Sequence, residues 1–310
     1  MNQPILVIKD LTKIFNADVL KKKFCAVDDL SLSFEEGKVT GLLGHNGAGK
    51  TTTIRMILGL IRPNSGQIEF RGKPISYTDR RVIGYMPETN RLPQSLTPEE
   101  ALRSHLNCYE GIKVTKELIA NTLEKVGLEK HKKKKIKELS KGLGRRVAWT
   151  LATTHDPDFL ILDEPMSGLD PLGRAEFTEW ILELRQRNKA VLLCMHELEM
   201  IDQLCDEVVM LSRGRLIYAS HNEEKSERVM WHLSVSGIGR ESLESLTGSL
   251  PAANFRETQD LAHKFWFKDQ QHALKWLKAL SSEGVLIQEF KEDHSPYLNR
   301  LLAMYKGDAT

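Results

Sequence analysis

The sequence predicts an α/β fold, a sheet with helices packed on it, followed by a small α+β unit. Three observations carry that reading. Residues 159–162 are a fully apolar run, and 39–43 and 190–194 are short, mostly apolar runs, the pattern of strands buried on both faces. Each is followed by a segment with helical spacing, and strands alternating with helices argue for a largely parallel sheet. A polar stretch, Ser220 to Arg228, then separates this pattern from a second one that holds Trp231, Trp266 and Trp276, three of the 5 tryptophans and enough aromatic bulk for a core of its own.

The elements follow in order. Residues 5–8 and 26–34 read as strands, the second carrying apolar Val27, Leu30, Leu32 and Phe34, with Lys21 to Lys23 as a solvated turn between them. Glu36-Gly37 punctuates before the strand 39–43. A glycine-rich turn leads into a helix over 50–60, stopped by Pro63-Asn64-Ser65-Gly66. Strands follow over 67–71 and 82–85. Thr97-Pro98-Glu99-Glu100 starts a helix, with Thr97 as cap, Pro98 at the first helical position and Glu100 closing a capping box. Thr115 caps another, which Gly127 ends. Asp170-Pro171 caps the helix holding Phe177, Trp180, Ile181 and Leu184. Residues 197–204 read as a helix and 208–218 as a hairpin turning at Arg213-Gly214. In the tail, strands are expected over 229–235, 263–267 and 285–290, and helices over 240–246, 270–280 and 297–305.

Composition excludes several classes. A chain of 310 residues suggests roughly two domains. Lysine plus arginine is 44 against 42 aspartate plus glutamate, so the net charge of +2 gives no global reason to expect nucleic acid. With 41% hydrophobic and 28% charged residues the chain is not of the disordered class. No run approaches the roughly 20 apolar residues of a membrane span. The N-terminus lacks a signal pattern. Cys25, Cys108, Cys194 and Cys205 have no CxxC spacing and read as reduced thiols of a cytosolic protein.

Two motifs carry chemistry. Gly44-His45-Asn46-Gly47-Ala48-Gly49-Lys50-Thr51 fits GxxxxGK[ST], preceded by a strand and followed by a helix. Its amides and the helix N-terminus favour an anion. Lys50 suits the β- and γ-phosphates, and the Thr51 hydroxyl suits Mg²⁺. Residues 159–164 form an apolar strand ending in Asp163 and Glu164, where two adjacent charges need partners. Asp163 is placed to hold Mg²⁺ and Glu164 to polarise an attacking water.

With these residues the sequence resembles the ATP-binding subunit of an ABC transporter over roughly residues 5–220. The resemblance implies a P-loop NTPase with a mixed sheet core and a helical subdomain (about 90–145), residues 1–220 in all, plus a C-terminal accessory α+β domain over 225–310. It implies ATP as ligand, with Mg²⁺, and active hydrolysis by Lys50, Glu164 and a switch histidine, His196. Gly44 to Thr52 would bind the nucleotide, including His45, Asn46, Gly47, Ala48, Gly49 and Thr51. Phe15 resembles the aromatic that stacks on adenine, although Phe24 competes and either ring also suits the core. Ser140, Lys141, Gly142 and Leu143 stand at the family's signature and would face ATP bound to a second subunit. Ser167, Gly168, Leu169 and Asp170 resemble the loop that crosses the dimer interface.

Departures from the family pattern are informative. Glu88 stands where many members have glutamine, so a metal set of Thr51, Asp163 and Glu88 would carry extra negative charge. Lys141 and Leu143 replace a glycine and a glutamine, while Ser140 and Gly142 are kept. The resemblance further implies head-to-tail pairing, as a homodimer or with a second ABC ATPase, and an integral membrane permease docked around residues 85–110. Such a chain would be cytoplasmic, peripheral on the inner face of the cell membrane, with no nucleic-acid partner. The stretch Ile83 to Glu88, the form Leu139-Ser140-Lys141-Gly142 and the appended tail resemble the type-2 exporter class. The alternative is a non-transport ABC ATPase with a regulatory or nucleic-acid role. Lys130 to Lys137, six lysines in eight positions, reads either as a solvated loop or as attraction to phosphate or anionic headgroups.

Overall fold

The structure, a computed structural model, describes residues 4–15, 23–89, 92–195, 200, 203–220, 230–248, 250–253, 255–259, 262–267 and 269–293. The expected helix over 297–305, most of that over 197–204, Lys21 and Lys22, most of the linker and His196 lie outside them. The chain divides into two compact units, which part near residue 221.

In the first unit the strands sort into two sheets. β1 (Leu6–Phe15), β2 (Phe24–Phe34), β4 (Ser65–Phe70) and β5 (Lys73–Pro74) form an antiparallel sheet in the order β2-β1-β4-β5. β3 (Val39–Leu43), β6 (Ile83–Met86), β7 (Phe159–Asp163), β8 (Ala190–Cys194), β9 (Glu207–Ser212) and β10 (Arg215–Ala219) form the other, ordered β10-β9-β3-β8-β7-β6. Five of its strands are parallel, and β10 is an antiparallel edge. The core lies between the sheets. Phe34 of β2 meets Phe159 of β7 at a ring separation of 5.4 Å, within a cluster that includes Leu6, Ile8, Leu30, Ile54 and Ile161.

β1 runs well past the expected residues 5–8. Asp10 and Asp29 hold positive φ (51° each), and the β1–β2 register shifts there. These bulges break the alternation that marks a strand in sequence. Helix α1 (Lys50–Ile57) is shorter than the expected 50–60. Gly59 takes φ of 71°, and the amides of Gly59 and Leu60 turn back onto the carbonyls of Met56 and Arg55. This closes the helix with a left-handed glycine.

Three helices make the helical part. In α2 (Pro98–Leu106) the capping box forms, with Glu100 N–H donating to Thr97 Oγ1 at 3.2 Å and Thr97 N–H to Glu100 Oε2 at 2.9 Å. α3 (Lys116–Lys125) starts on Thr115, whose Oγ1 accepts from Leu118 N–H at 3.0 Å. α4 (Lys141–Thr153) packs on β6 and against α2. Trp149 of α4 meets Phe177 and Trp180 of α5 (Pro171–Gln186). Cys25, Cys108, Cys194 and Cys205 form no disulfide among the described residues.

The second unit is an antiparallel sheet ordered β12-β13-β11-β14: β11 (Met230–Ser236), β12 (Phe255–Gln259), β13 (Ala262–Phe267) and β14 (Leu286–Asp293). Helices α6 (Arg240–Thr247) and α7 (Gln270–Ser282) accompany it. Its core holds Leu233, Val235, Phe265, Phe267, Trp276 and Leu280. Strand β12 has no counterpart in the sequence reading. No helix among the described residues is long and apolar enough to cross a membrane.

Candidate nucleotide site

Residues 44–49 link β3 to α1, so the strand aims the loop and the helix N-terminus faces whatever the loop holds. Gly49 sits at φ 103°, and a Cβ built there would lie 2.7 Å from the Ala26 carbonyl oxygen. Only glycine fits both the torsion and that approach. Gly44 is as tight, with a Cβ falling 2.5 Å from the Leu211 carbonyl oxygen. The loop is tied behind by Gly214 N–H, donating to the Ala48 carbonyl at 3.0 Å. Gly214 lies in the β9–β10 turn. Lys50 Nζ turns inward onto the carbonyls of Gly44 and His45. Those carbonyls hold the ammonium at the mouth of the loop.

The cavity around the loop is lined by residues 45–52 with Ala26 and Phe24. Phe15 is not among them. The β1–β2 register sets Phe15 opposite Phe24, and both side chains are exposed, at 39% and 57%. Phe24 is the one on the cavity, because its strand runs through Ala26 into contact with the loop.

Asp163 ends β7 and is 6% exposed. Burial pushes its carboxyl up to about 6, the charges of Glu88 and Glu164 add to this, and Lys50 and Arg145 oppose it. Glu164 follows at φ 49°, a left-handed torsion costly for a side chain of this kind. Its N–H donates to the Cys194 carbonyl at 2.9 Å, which holds the turn against β8.

Sequence reading missed Arg145. Its side chain, 1% exposed, reaches from α4 into the site. Nη1 donates to the carbonyls of Pro87 and Glu88 at 2.8 Å each, Nε to that of Pro165 at 3.1 Å, and Nη2 to that of Glu164. One guanidinium thereby fixes the Glu88 loop and the Glu164 turn to the helix that begins at the signature. Burial lowers its pKa while Asp163, Glu164 and Glu88 raise it.

The signature residues lie apart from the loop cavity, whose lining includes none of Ser140 to Leu143. Ser140 caps α4, its Oγ accepting from Leu143 N–H at 3.3 Å. Lys141 extends over Gly168, in the space a Cβ there would need, and a Cβ on Gly142 would meet Leu169 at 3.7 Å. The signature and the 167–170 turn of one chain are therefore neighbours. Asp170 caps α5 through Gly173 N–H at 2.9 Å. His196 lies outside the described residues.

The donors suit a hard divalent cation. Thr51 offers a hydroxyl, and the carboxyl of Asp163, raised by burial and further by the charges of Glu88 and Glu164, marks a negative locus for a cation to neutralise. Among the described residues no three His, Cys, Asp or Glu side chains form a metal cage. A cation held also by phosphate oxygens and water needs none.

A strand-held glycine loop feeding a helix, beside a buried strand that ends in carboxylates, defines a P-loop nucleoside triphosphatase. Comparison with known proteins narrows this. The ABC transporter family model matches residues 27–167. The chain is 37% identical over 226 residues to the uncharacterized ABC transporter ATP-binding protein MJ1023 of Methanocaldococcus jannaschii, covering 72% of this chain and 79% of that protein. It is 38% identical over 217 residues to the bacitracin transport ATP-binding protein BcrA of Bacillus licheniformis, covering 69% and 68%. Among solved structures, an ATP-binding subunit of an ABC transporter superposes with a TM-score of 0.62 at 30% identity, over 70% of this chain and 89% of that one. The chain belongs to the ABC transporter ATP-binding proteins and is an ATPase.

Proposed function

We propose that this chain is the motor of an exporter. Two ATP molecules are held between two such subunits, paired head to tail, and their hydrolysis drives a separate membrane permease. The observation that carries the pairing is the incompleteness of the loop cavity, which no signature residue enters. A second subunit, a copy or a related ATPase, supplies Ser140 to Leu143 across the interface, with residues 167–170 crossing it. The same reading takes residues 1–220 as the ATPase domain, with a helical subdomain at about 90–145, and 225–310 as an accessory domain.

Within the site, Lys50 and the amides of residues 45–51 hold the phosphates, and Phe24, with Phe15 opposite it on β1, flanks the base. Glu164 orients and polarises the attacking water, and His196 contacts the terminal phosphate. Thr51 and Asp163, with Glu88 near, would hold Mg²⁺, which supplies charge neutralisation on the phosphate oxygens. Arg145 positions Glu88 and Glu164 through their main chains.

The permease docks around residues 85–110. A cavity of about 290 Å³ there is lined by Tyr85, Pro87, Leu92, His105, Tyr109 and His155. Within it the rings of His155 and Tyr109 stack at 4.4 Å. A transport role is supported by the bacitracin transport ATP-binding protein among the relatives, and the export direction rests on the sequence resemblance alone. The chain would then lie on the cytoplasmic face of the membrane.

Glu164→Gln tests the pairing. With ATP and Mg²⁺ it should elute as a stable dimer and turn over at least about a hundredfold more slowly, as expected when the group positioning the water is lost. An ATP-independent monomer with normal turnover removes both assignments.

A further inference from the structure

Lys130, Lys132, Lys133, Lys134, Lys135 and Lys137 lie on the loop that leads into α4. The loop folds as two short 3₁₀ turns, Glu129–His131 and Ile136–Glu138. Ile136, 5% exposed, anchors it in the core, and all the lysines except half-buried Lys132 are exposed. Its main chain is fastened to the segment before α2. Ile136 N–H donates to the Leu96 carbonyl at 2.9 Å, Lys137 N–H to that of Gln94 at 3.3 Å, and Glu99 N–H to that of Lys132 at 3.3 Å.

Three other lysines of this unit are ion-paired, Lys9 with Glu69, Lys38 with Glu207 and Lys189 with Asp158. In the loop none of the six ammonium groups has an ion pair or hydrogen bond with a described residue, although Glu129 and Glu138 flank them. Solubility alone is served by charges of either sign. Six charges of one sign on a pinned backbone repel one another, which favours an external anionic counterpart.

We propose that this loop is a basic foot that rests on anionic lipid headgroups beside the permease. The proposal builds on permease docking at residues 85–110, since the loop is bonded to residues 94–99 within that surface. A partner embedded in the bilayer brings the foot to the membrane plane. Lysine suits this task, being a point charge on a flexible stem that needs no fixed partner geometry. Each lysine near an anionic surface multiplies affinity about fivefold.

The test is co-sedimentation of the full chain with vesicles of phosphatidylcholine, with and without phosphatidylglycerol. Binding is expected only with phosphatidylglycerol, and it should fall as salt rises from about 0.05 M to about 0.5 M. The variant K133Q/K134Q/K135Q/K137Q should bind at least about tenfold more weakly, with unchanged circular dichroism and ATP hydrolysis, so that a folding defect is read separately. Equal binding to both vesicle types, or undiminished binding by the variant, overturns the proposal. These vesicles contain no permease, so that failure leaves permease docking standing. A failure of permease co-purification in detergent by both wild type and variant removes docking instead. Loss of co-purification by the variant alone, with vesicle binding intact, assigns the lysines to an acidic face of the permease and overturns the lipid assignment.

Discussion

The guanidinium of Arg145 donates to the main-chain oxygen of Glu88 at 2.8 Å, across a separation that no local sequence pattern spans. The same group holds the Glu164 turn, so the two acidic loops of the site share one anchor. Arg145→Lys keeps charge and length but cannot fork to several carbonyls. It should cost about 2–4 kcal/mol of stability, read as a lowered urea midpoint with an unchanged slope. ATP hydrolysis should fall with it. A midpoint shift within error removes the anchoring role.

Asp163 is held near pKa 6 by burial and neighbouring carboxylates, so at neutral pH its charge is carried at a cost to the metal-free fold. Asp163→Asn should stabilise the nucleotide-free protein in chelator by about 2 kcal/mol at pH 7.5. Hydrolysis should nevertheless be abolished. Thermal melts and phosphate release check both halves, and a destabilised variant contradicts the electrostatic account.

His155 is stacked on Tyr109 at 4.4 Å. Burial, with a smaller contribution from His105, lowers its pKa to about 4, against weaker opposing effects of the Ile83 and Leu151 main chains and Asp156. A folded value below the unfolded one means that its stability contribution is complete above about pH 6.5. It is lost as pH falls toward 4. Between pH 7.5 and pH 5 the wild type should lose up to about 2 kcal/mol more than His155→Phe, which keeps the stack. Parallel urea midpoints for the two proteins at both pH values decide this, and equal losses count against it.

Gly49 and Gly47 make a paired comparison. Both hold positive φ, but a Cβ at 49 meets the Ala26 main chain at 2.7 Å, whereas at 47 nothing lies within 4 Å. Gly47→Ala should cost only about 1 kcal/mol of torsional strain. Gly49→Ala should cost more than twice that and weaken ATP binding at least about tenfold, because the loop must shift. Calorimetric titration with ATP separates them, and equal effects refute the contact argument.

Features written in local chemistry were legible in the sequence. The caps at Thr97, Thr115 and Asp170 are set by neighbours three residues away, and the strand–loop–helix at 39–57 by one continuous pattern. What was not legible depends on distant chain. Arg145 bonds to carbonyls, which every residue carries, so no side-chain motif marks its partners. Strand β1 hides behind the bulge at Asp10, where alternation fails. The sorting of strands into two sheets follows from pairing between segments far apart, and β12 is defined by its ladder to β13 more than by its own residues. The sequence pointed to Phe15 ahead of Phe24, and only the tertiary contact of the Phe24 strand with the loop puts Phe24 at the cavity instead.

The floor beneath the phosphate loop is made of main chain on main chain. Gly49, the turn at Gly214 and Ala26 are stacked too closely for side chains to intervene. Such a contact has no rotamers to rearrange and almost no void to compress. The loop thus behaves as a bowl with a rigid base and a yielding lip at Gly47. Nucleotide exchange has to be accommodated at the lip, and substitutions that tune the base must act by moving whole strands.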